Sequence, residues 1–352
     1  MDKNSKIYIT GHRGMVGSTV CELLKKNGYN DLIFKSSNEL DLRDQKKTEN
    51  FIKEERPGYI FLFASKVGGI QANIDYPAEF LYDNLMIESN IINAAYKYKV
   101  KKILYLGSSC IYPRNCSQPM EEEYLLTGKL EPTNEPYAIA KIAGLKLCRY
   151  YNEQHGTNYI SLIASNLYGP NDNFNLHTSH VLPALLRKFH IGKLLENGQY
   201  GVIKKDIIRY QLGFNLDETI NLNSINSVDK HLKQIGISKD KITLWGTGEP
   251  FREFLLVNDL ADACVYFMKN FDAKDIGEFI NIGTGEGIRI KKLAEIIKGA
   301  VGYKGKLNWD ISKASGMPRK VLDVTKMKKF DWSPSASLEE GIKKTYKWYL
   351  NK

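Results

Sequence analysis

Apolar and polar positions fall along this chain in blocks of two kinds. Short, nearly continuous apolar runs near residues 6–10, 31–35, 59–64, 102–107 and 159–165 read as buried strands. Between them lie longer stretches with apolar residues at helical spacing, such as Val16 to Lys26, which carries Val20, Leu23 and Leu24 on one side. Strand and helix alternating up to residue 166 predict an α/β fold: a doubly wound parallel sheet whose ligand site lies at the carboxyl ends of its strands.

The alternation breaks after Gly169-Pro170. Residues 191–242 are polar and rich in Asn, with amphipathic pieces such as Val228 to Ile235. A stretch of that length predicts packed helices rather than a structureless loop. Strand character resumes at Thr243-Leu244-Trp245, Asp259 to Met268 reads as a helix, and Phe279 to Gly283 as a strand returning to the sheet. The expected organisation is a sheet domain from 1–168 and 254–282, and a smaller mixed α/β domain from 169–253 and 283–352. The second domain carries a long insertion near 191–242.

Chemistry enters at the first strand-to-helix turn. Ile7-Tyr8-Ile9-Thr10 is followed by Gly11, Gly14 and Gly17, then by a helix that starts around Met15 and Val16. Glycines here let the backbone approach a pyrophosphate and set it at the helix N-terminus, the arrangement of a Rossmann dinucleotide site. The spacing is G-x-x-G-x-x-G rather than the common G-x-G-x-x-G. An NAD site would end the second strand on a carboxylate for the ribose hydroxyls, but this one ends Phe34-Lys35-Ser36-Ser37. With Arg13 in the glycine turn, Lys35 offers charge to a 2′-phosphate, so the expected cofactor is NADP.

A second constellation follows the fourth strand. Ser108, Ser109 and Cys110 close the run from Lys102 to Gly107, and Tyr137 and Lys141 stand four apart on the next long helix, which Thr133 or Asn134 can cap and Pro136 can start. A phenol titrates near 10, so exchanging a proton with a carbonyl oxygen at neutral pH requires a neighbouring cation. Tyr-x-x-x-Lys occurs three times here, also as Tyr98/Lys102 and Tyr200/Lys204, but only the pair at 137 follows a strand ending in Ser-Ser. Ser108, Tyr137 and Lys141 therefore read as a hydride-transfer site, with the Cys110 thiol beside it.

Composition narrows the field further. With 352 residues, 43% hydrophobic and 26% charged, the chain can bury one large core or two smaller ones. No apolar run reaches the length of a membrane span, and Met1 to Ser5 leads into a strand without a secretory hydrophobic region, so a cytoplasmic location is expected. Five cysteines, without a C-x-x-C pair, fit neither a disulfide framework nor a zinc site, and no metal is expected. The net charge of +10 is dispersed. Lys25-Lys26, Lys101-Lys102 and Lys204-Lys205 form no stripe with interleaved aromatics, which argues against nucleic acid and suits a phosphate-bearing substrate and cofactor.

Longer motifs carry a resemblance over nearly the whole chain. They include Gly11-His12-Arg13-Gly14-Met15-Val16-Gly17, Lys66-Val67-Gly68-Gly69-Ile70, Asn84-Leu85-Met86-Ile87-Glu88-Ser89-Asn90, and Gly107-Ser108-Ser109-Cys110-Ile111-Tyr112-Pro113. Glu131 to Lys141, Asn166-Leu167-Tyr168-Gly169-Pro170, Ser179-His180-Val181, Trp245-Gly246, Arg252-Glu253-Phe254 and Pro318-Arg319-Lys320 follow. The chain resembles the GDP-L-fucose synthase family of extended short-chain dehydrogenase/reductases. The resemblance implies 3,5-epimerisation of GDP-4-keto-6-deoxy-D-mannose, by residues matching Cys110 and His180, then NADPH-dependent reduction at C4, by Tyr137, Lys141 and Ser108. A thiol and an imidazole titrate nearer neutrality than a carboxylate or a lysine, which suits them to moving protons beside a ketone.

The same matches imply binding roles. Arg13 and Lys35 face the 2′-phosphate, Asp41 and Leu42 the adenine, and Asn166, Lys188, Trp245 and Arg252 the GDP-sugar, with the two cations on its diphosphate. The stretch from His190 to Trp245 is longer than the family pattern, which leaves a GDP-4-keto-6-deoxy-heptose open as the substrate of an epimerase/reductase or a C4 reductase. Relatives that only reduce such sugars are expected to lack the cysteine and histidine, and both are present here. A 4,6-dehydratase would place Asp-Glu where Ser109-Cys110 stands, and a non-catalytic NADP-binding regulator would not need a Tyr137 proton donor. A homodimer is expected through the helix Pro77 to Lys97 and the helix of the Tyr/Lys pair. Those helices offer Phe80, Leu81, Leu85, Ile91 and Ile92 on one, and Ile139, Ile142, Leu145 and Leu147 on the other.

Overall fold

The computed structural model describes residues 1–313 and 317–352. From the N-terminus the chain runs β1 (Ile7–Ile9), α1 (Met15–Lys26), β2 (Leu32–Ile33), α2 (Gln45–Glu55), β3 (Tyr59–Leu62), α3 (Ile70–Asp75), α4 (Pro77–Lys97), β4 (Lys102–Ser108), α5 (Glu135–His155) and β5 (Tyr159–Ala164). These strands and β10 (Ile280–Ile282) form one parallel sheet in the order β10-β5-β4-β3-β1-β2. The strands are mostly apolar because α4 packs with α2 and α5 while α1 packs with α9 (Val257–Asn270), leaving neither sheet face to solvent. Strand order reverses between β1 and β3, which opens a crevice at their carboxyl ends.

Beyond β5 the chain adds β6 (Asn166–Tyr168), α6 (Val181–Glu196), α7 (Tyr200–Tyr210), α8 (Ile225–Gln234), β7 (Lys241–Trp245), β8 (Phe251–Arg252) and β9 (Phe254–Leu256). A second core gathers Phe174, Leu186 and Phe189 with Leu293, Ile297 and Ile342 from two later helices, Ile290–Val301 and Leu338–Leu350. A third joins Ile191 and Leu195 of α6 to Ile203 and Ile207 of α7 and Val228 and Leu232 of α8. The Asn-rich stretch is thus a small helical unit with its own apolar centre. Its expected start at 191 falls inside α6, which runs on to Glu196 because its buried residues lie almost all round the helix. Met317, Leu322, Val324, Met327 and Trp332 return to the sheet-side core.

Two further expectations need correcting. Asn134 takes the cap position of α5 with no side-chain bond to the helix, and Thr133 spends its hydroxyl on Glu131. Of the apolar residues that α4 and α5 offer for a homodimer, Phe80, Ile91, Ile92, Ile142 and Leu145 are buried in this chain. The residues left outside are Tyr82, Tyr96, Ile139 and Tyr150.

Candidate active site

A cavity of about 1330 Å³ opens over the carboxyl ends of the sheet and continues between the sheet and the second core. Its floor at one end is the glycine turn. Gly11 has φ +66°, a conformation that favours glycine, and a Cβ on Gly17 would collide with the Gly11 carbonyl. Gly14 caps α1 without a side chain, so the first amides of the helix, at Met15, Val16 and Gly17, face the cavity they help to line. This cradle fits a dinucleotide pyrophosphate.

Arg13 stands exposed beside the turn and Lys35 half-buried at the end of β2. The strand ends without a carboxylate of its own, but Glu39 folds back toward its end from beyond and accepts from the Ser36 backbone and hydroxyl. Those bonds, with smaller contributions from Lys35 and Arg13, hold its pKa below the usual carboxylate range. Two cations therefore outnumber one tied carboxylate. Asp41 is paired with Arg43 at 2.8 Å, and Leu42 is buried with its carbonyl bonded to Thr48 and Asn90; neither lines the cavity.

Ser108, Cys110, Tyr137 and Lys141 line the middle of the cavity. β4 ends at Ser108, and the tight turn Ser109–Ile111 brings Cys110 back so that its amide donates to the Ser108 hydroxyl at 3.5 Å. Tyr137 and Lys141 share a face of α5, with the ammonium 5.8 Å from the phenol ring centre. Burial pushes the Tyr137 phenol up to about 12, against the pull of Lys141. Lys141 also donates to the Leu106 carbonyl at 3.1 Å and pairs with Glu88 at 2.9 Å.

His180 caps α6 and opens its ring onto the same cavity. The ring is exposed within the open cavity, yet the protein packed around that cavity, and after it the Lys320 ammonium, push its pKa down, and the helix N-terminus also disfavours an imidazolium. Burial raises the Cys110 thiol, with Lys320 the largest influence in the other direction. Lys320, from the Pro318-Arg319-Lys320 motif, reaches the site because it pairs in register with Arg252 across a parallel strand contact.

Asn166, Lys188, Trp245 and Arg252 line the far end. Asn166 donates to the Glu253 carbonyl at 2.7 Å, and burial lowers Arg252 to about 10. Lys188 is committed elsewhere: its ammonium donates to the Ile235 and Thr243 carbonyls at 2.8 and 3.4 Å, and burial lowers it to about 8. Trp245 is 46% exposed, has Lys313 over its ring at 5.7 Å and meets Phe214 edge-on at 6.0 Å. Phe214 comes from the inserted unit and stacks on His177, which bonds Asp75 of α3 at 2.8 Å.

Several cavity residues escaped the sequence reading. Burial lifts Asp172 to about 7, and one of its oxygens has no partner. Asn84 accepts from Ser65 at 2.7 Å and so places that hydroxyl beside Tyr137. Phe80, Asn84 and Glu88 recur every four residues along the buried stripe of α4, so two polar residues on an apolar face were the available signal.

A profile of the NAD dependent epimerase/dehydratase family matches residues 7–206 and 223–283. The chain belongs to this family. The gap in the match, 207–222, spans the end of α7 and the turn into α8, within the inserted unit. Within the epimerase/dehydratase family the chain is 45% identical to GDP-L-fucose synthase 1 of Arabidopsis thaliana, over 99% of this chain and 94% of that one. A GDP-6-OMe-4-keto-L-xylo-heptose reductase from C. jejuni matches in structure with a TM-score of 0.93 at 40% identity, covering 100% and 99% of the two chains. A GDP-mannoheptose C4 reductase from Campylobacter jejuni, solved with NADP bound, matches at 0.86 and 41%, covering 99% of each. Among the described residues no cluster of His, Cys, Asp and Glu is arranged to hold a metal.

Proposed function

We propose that this chain converts GDP-4-keto-6-deoxy-D-mannose to GDP-L-fucose, epimerising C3 and C5 and then reducing C4 with NADPH. The observation that carries the reading is that a thiol and an imidazole, Cys110 and His180, line the same cavity as Tyr137 and Lys141, with Lys320 acting on both. Protons beside the 4-keto group are acidified by it, and inversion requires one group to take a proton and another to return it on the opposite face. Lys320 favours the Cys110 thiolate and the neutral imidazole, the forms that accept protons. Bound NADPH supplies the hydride to C4. Tyr137 gives its proton to the oxygen as charge develops there, Ser108 orients that oxygen, and Lys141 holds the phenol in place.

The glycine cradle and the Arg13/Lys35 pair support NADP(H) as cofactor, as does the NADP in the related C4 reductase. Arg252 and Lys320, side by side in register, suit the substrate diphosphate, and Trp245 the guanine or ribose. Two copies pair through the outer face of α4 and α5. All five cysteines are free, which suits a reducing compartment, and we assign the enzyme to the cytoplasm.

A second reading keeps the chemistry and changes the sugar to a GDP-4-keto-6-deoxy-heptose. It is favoured by Phe214 of the inserted unit at the cavity wall and by the fit to the heptose reductase. NADPH oxidation against both sugars, with product stereochemistry read by NMR, separates the two readings. With the deoxymannose substrate in heavy water, Cys110→Ser and His180→Gln should each slow deuterium entry at C3 and C5 by roughly a hundredfold or more. Undiminished exchange in both variants would leave the chain a reductase alone.

A further inference from the structure

Glu88 is 1% exposed, on a buried helix face it shares with Phe80, Asn84, Ile91 and Ile92. A carboxylate in that setting is retained only where a partner compensates its lost hydration. The partner is Lys141, 2.9 Å away across the α4/α5 packing. Gly144 makes the approach feasible, because a Cβ there would collide with Glu88 Oε2 and stand 2.6 Å from the Tyr105 hydroxyl. Tyr105 in turn donates to the Lys141 carbonyl at 3.0 Å, which anchors the turn of α5 that carries the ammonium.

The sign of the charge matters. A bare ammonium beside a phenol favours phenolate, which suits an enzyme that removes a proton from an alcohol. Reduction of a ketone runs the other way and consumes a proton from the tyrosine. The titratable groups facing the pair are Glu88 from α4, Tyr105 from β4, Cys110 from the turn after it and Cys148 from α5, with Lys320 beyond Cys110. Glu88 is the carboxylate in that set. Burial works against the charge on both partners: it raises Glu88, which the Lys141 ammonium pulls back down, while on Lys141 the pull of Glu88 and Tyr137 outweighs burial and the lysine ends above its usual range.

We propose that Glu88 is a positioning residue for reduction: its carboxylate fixes the Lys141 ammonium and offsets its field, so that Tyr137 stays loaded with the proton the reaction consumes. This rests on Tyr137 being the proton donor at C4. When bound, NADPH would supply the hydride to C4 and leave as NADP; as the C=O π pair moves to oxygen, that oxygen takes the Tyr137 proton, leaving an alcohol and a phenolate that solvent reprotonates.

The decisive measurement is the tyrosinate absorbance of the cofactor-free protein against pH, taken as the difference between each background and the same background carrying Tyr137→Phe. Glu88→Gln should move the Tyr137 titration, and the alkaline limb of NADPH-dependent reduction, down by roughly one to two pH units. An unchanged titration in Glu88→Gln overturns the proposal. Should that variant not fold, Glu88→Asp decides: with the charge kept but withdrawn from Lys141 by one methylene, the Tyr137 titration should fall by roughly half a pH unit or more, and an unchanged titration overturns the proposal. Failure of the underlying reading looks different. Tyr137→Phe would then retain NADPH oxidation, whatever the titration shows.

Discussion

Arg13 stands free beside the glycine turn, where a 2′-phosphate would meet it, and Glu39 is the carboxylate that competes for its charge. Glu39 is already satisfied by Ser36, so Arg13→Ala should weaken NADPH by roughly ten- to a hundredfold, the cost of a charge-assisted contact. NADH has no such phosphate and should weaken far less. Dissociation constants from nucleotide fluorescence test this, and equal losses for both would make Arg13 structural. At this scale the sequence is legible where one local element sets the spacing. The glycine turn, Ser108 to Cys110 and Tyr137/Lys141 each sit within one turn or one helix face, so their order along the chain fixes their geometry. Glu88 and Lys320 act on residues far away in sequence, through helix packing and a strand register that no local pattern encodes.

The inserted helices show how an element is held by a single buried group. Arg187 of α6 is fully buried, pairs with Asp206 of α7 at 2.9 Å, and donates to the Phe174 carbonyl at 2.8 Å and to the Gln211 carbonyl. The Tyr349 hydroxyl donates to the other Asp206 oxygen, which joins α7 to the C-terminal helix. Arg187→Ala strands Asp206 in an apolar surround and should cost roughly 3–5 kcal/mol by chemical denaturation. A loss below about 1 kcal/mol, the range of surface pairs, would mean that water reaches the pair. Within Leu185-Leu186-Arg187-Lys188-Phe189 the arginine reads as an ordinary helix charge. That α6 runs on through 191 has a related reason: a helix buried on nearly every side has no polar face to mark where it continues.

For the whole molecule, the sheet was readable because each strand is a short apolar run buried on both faces, and β10 rejoins β5 where the residues near 280 predicted a returning strand. The assembly was less readable, because apolar residues on α4 and α5 serve two purposes. Ile91, Ile92 and Leu145 go to the chain's own core, so counting apolar positions overstated the outer face. What remains is specific: Tyr82 and Tyr96 stand nearly four turns apart on α4, and Ile139 and Tyr150 three turns apart on α5, so each pair shares a face. Tyr96 also stacks on His155 at 4.2 Å, which continues the face across both helices. A two-fold axis through this patch would set two helices of one copy against two of the other and remove four large side chains of each copy from water. Light scattering at micromolar protein should therefore give a dimer mass. Ile139→Lys, whose side chain is 42% exposed in the single chain, should shift that mass toward the monomer while leaving the fold intact. A wild-type monomer, or a variant dimer of undiminished affinity, would move the interface elsewhere on the molecule.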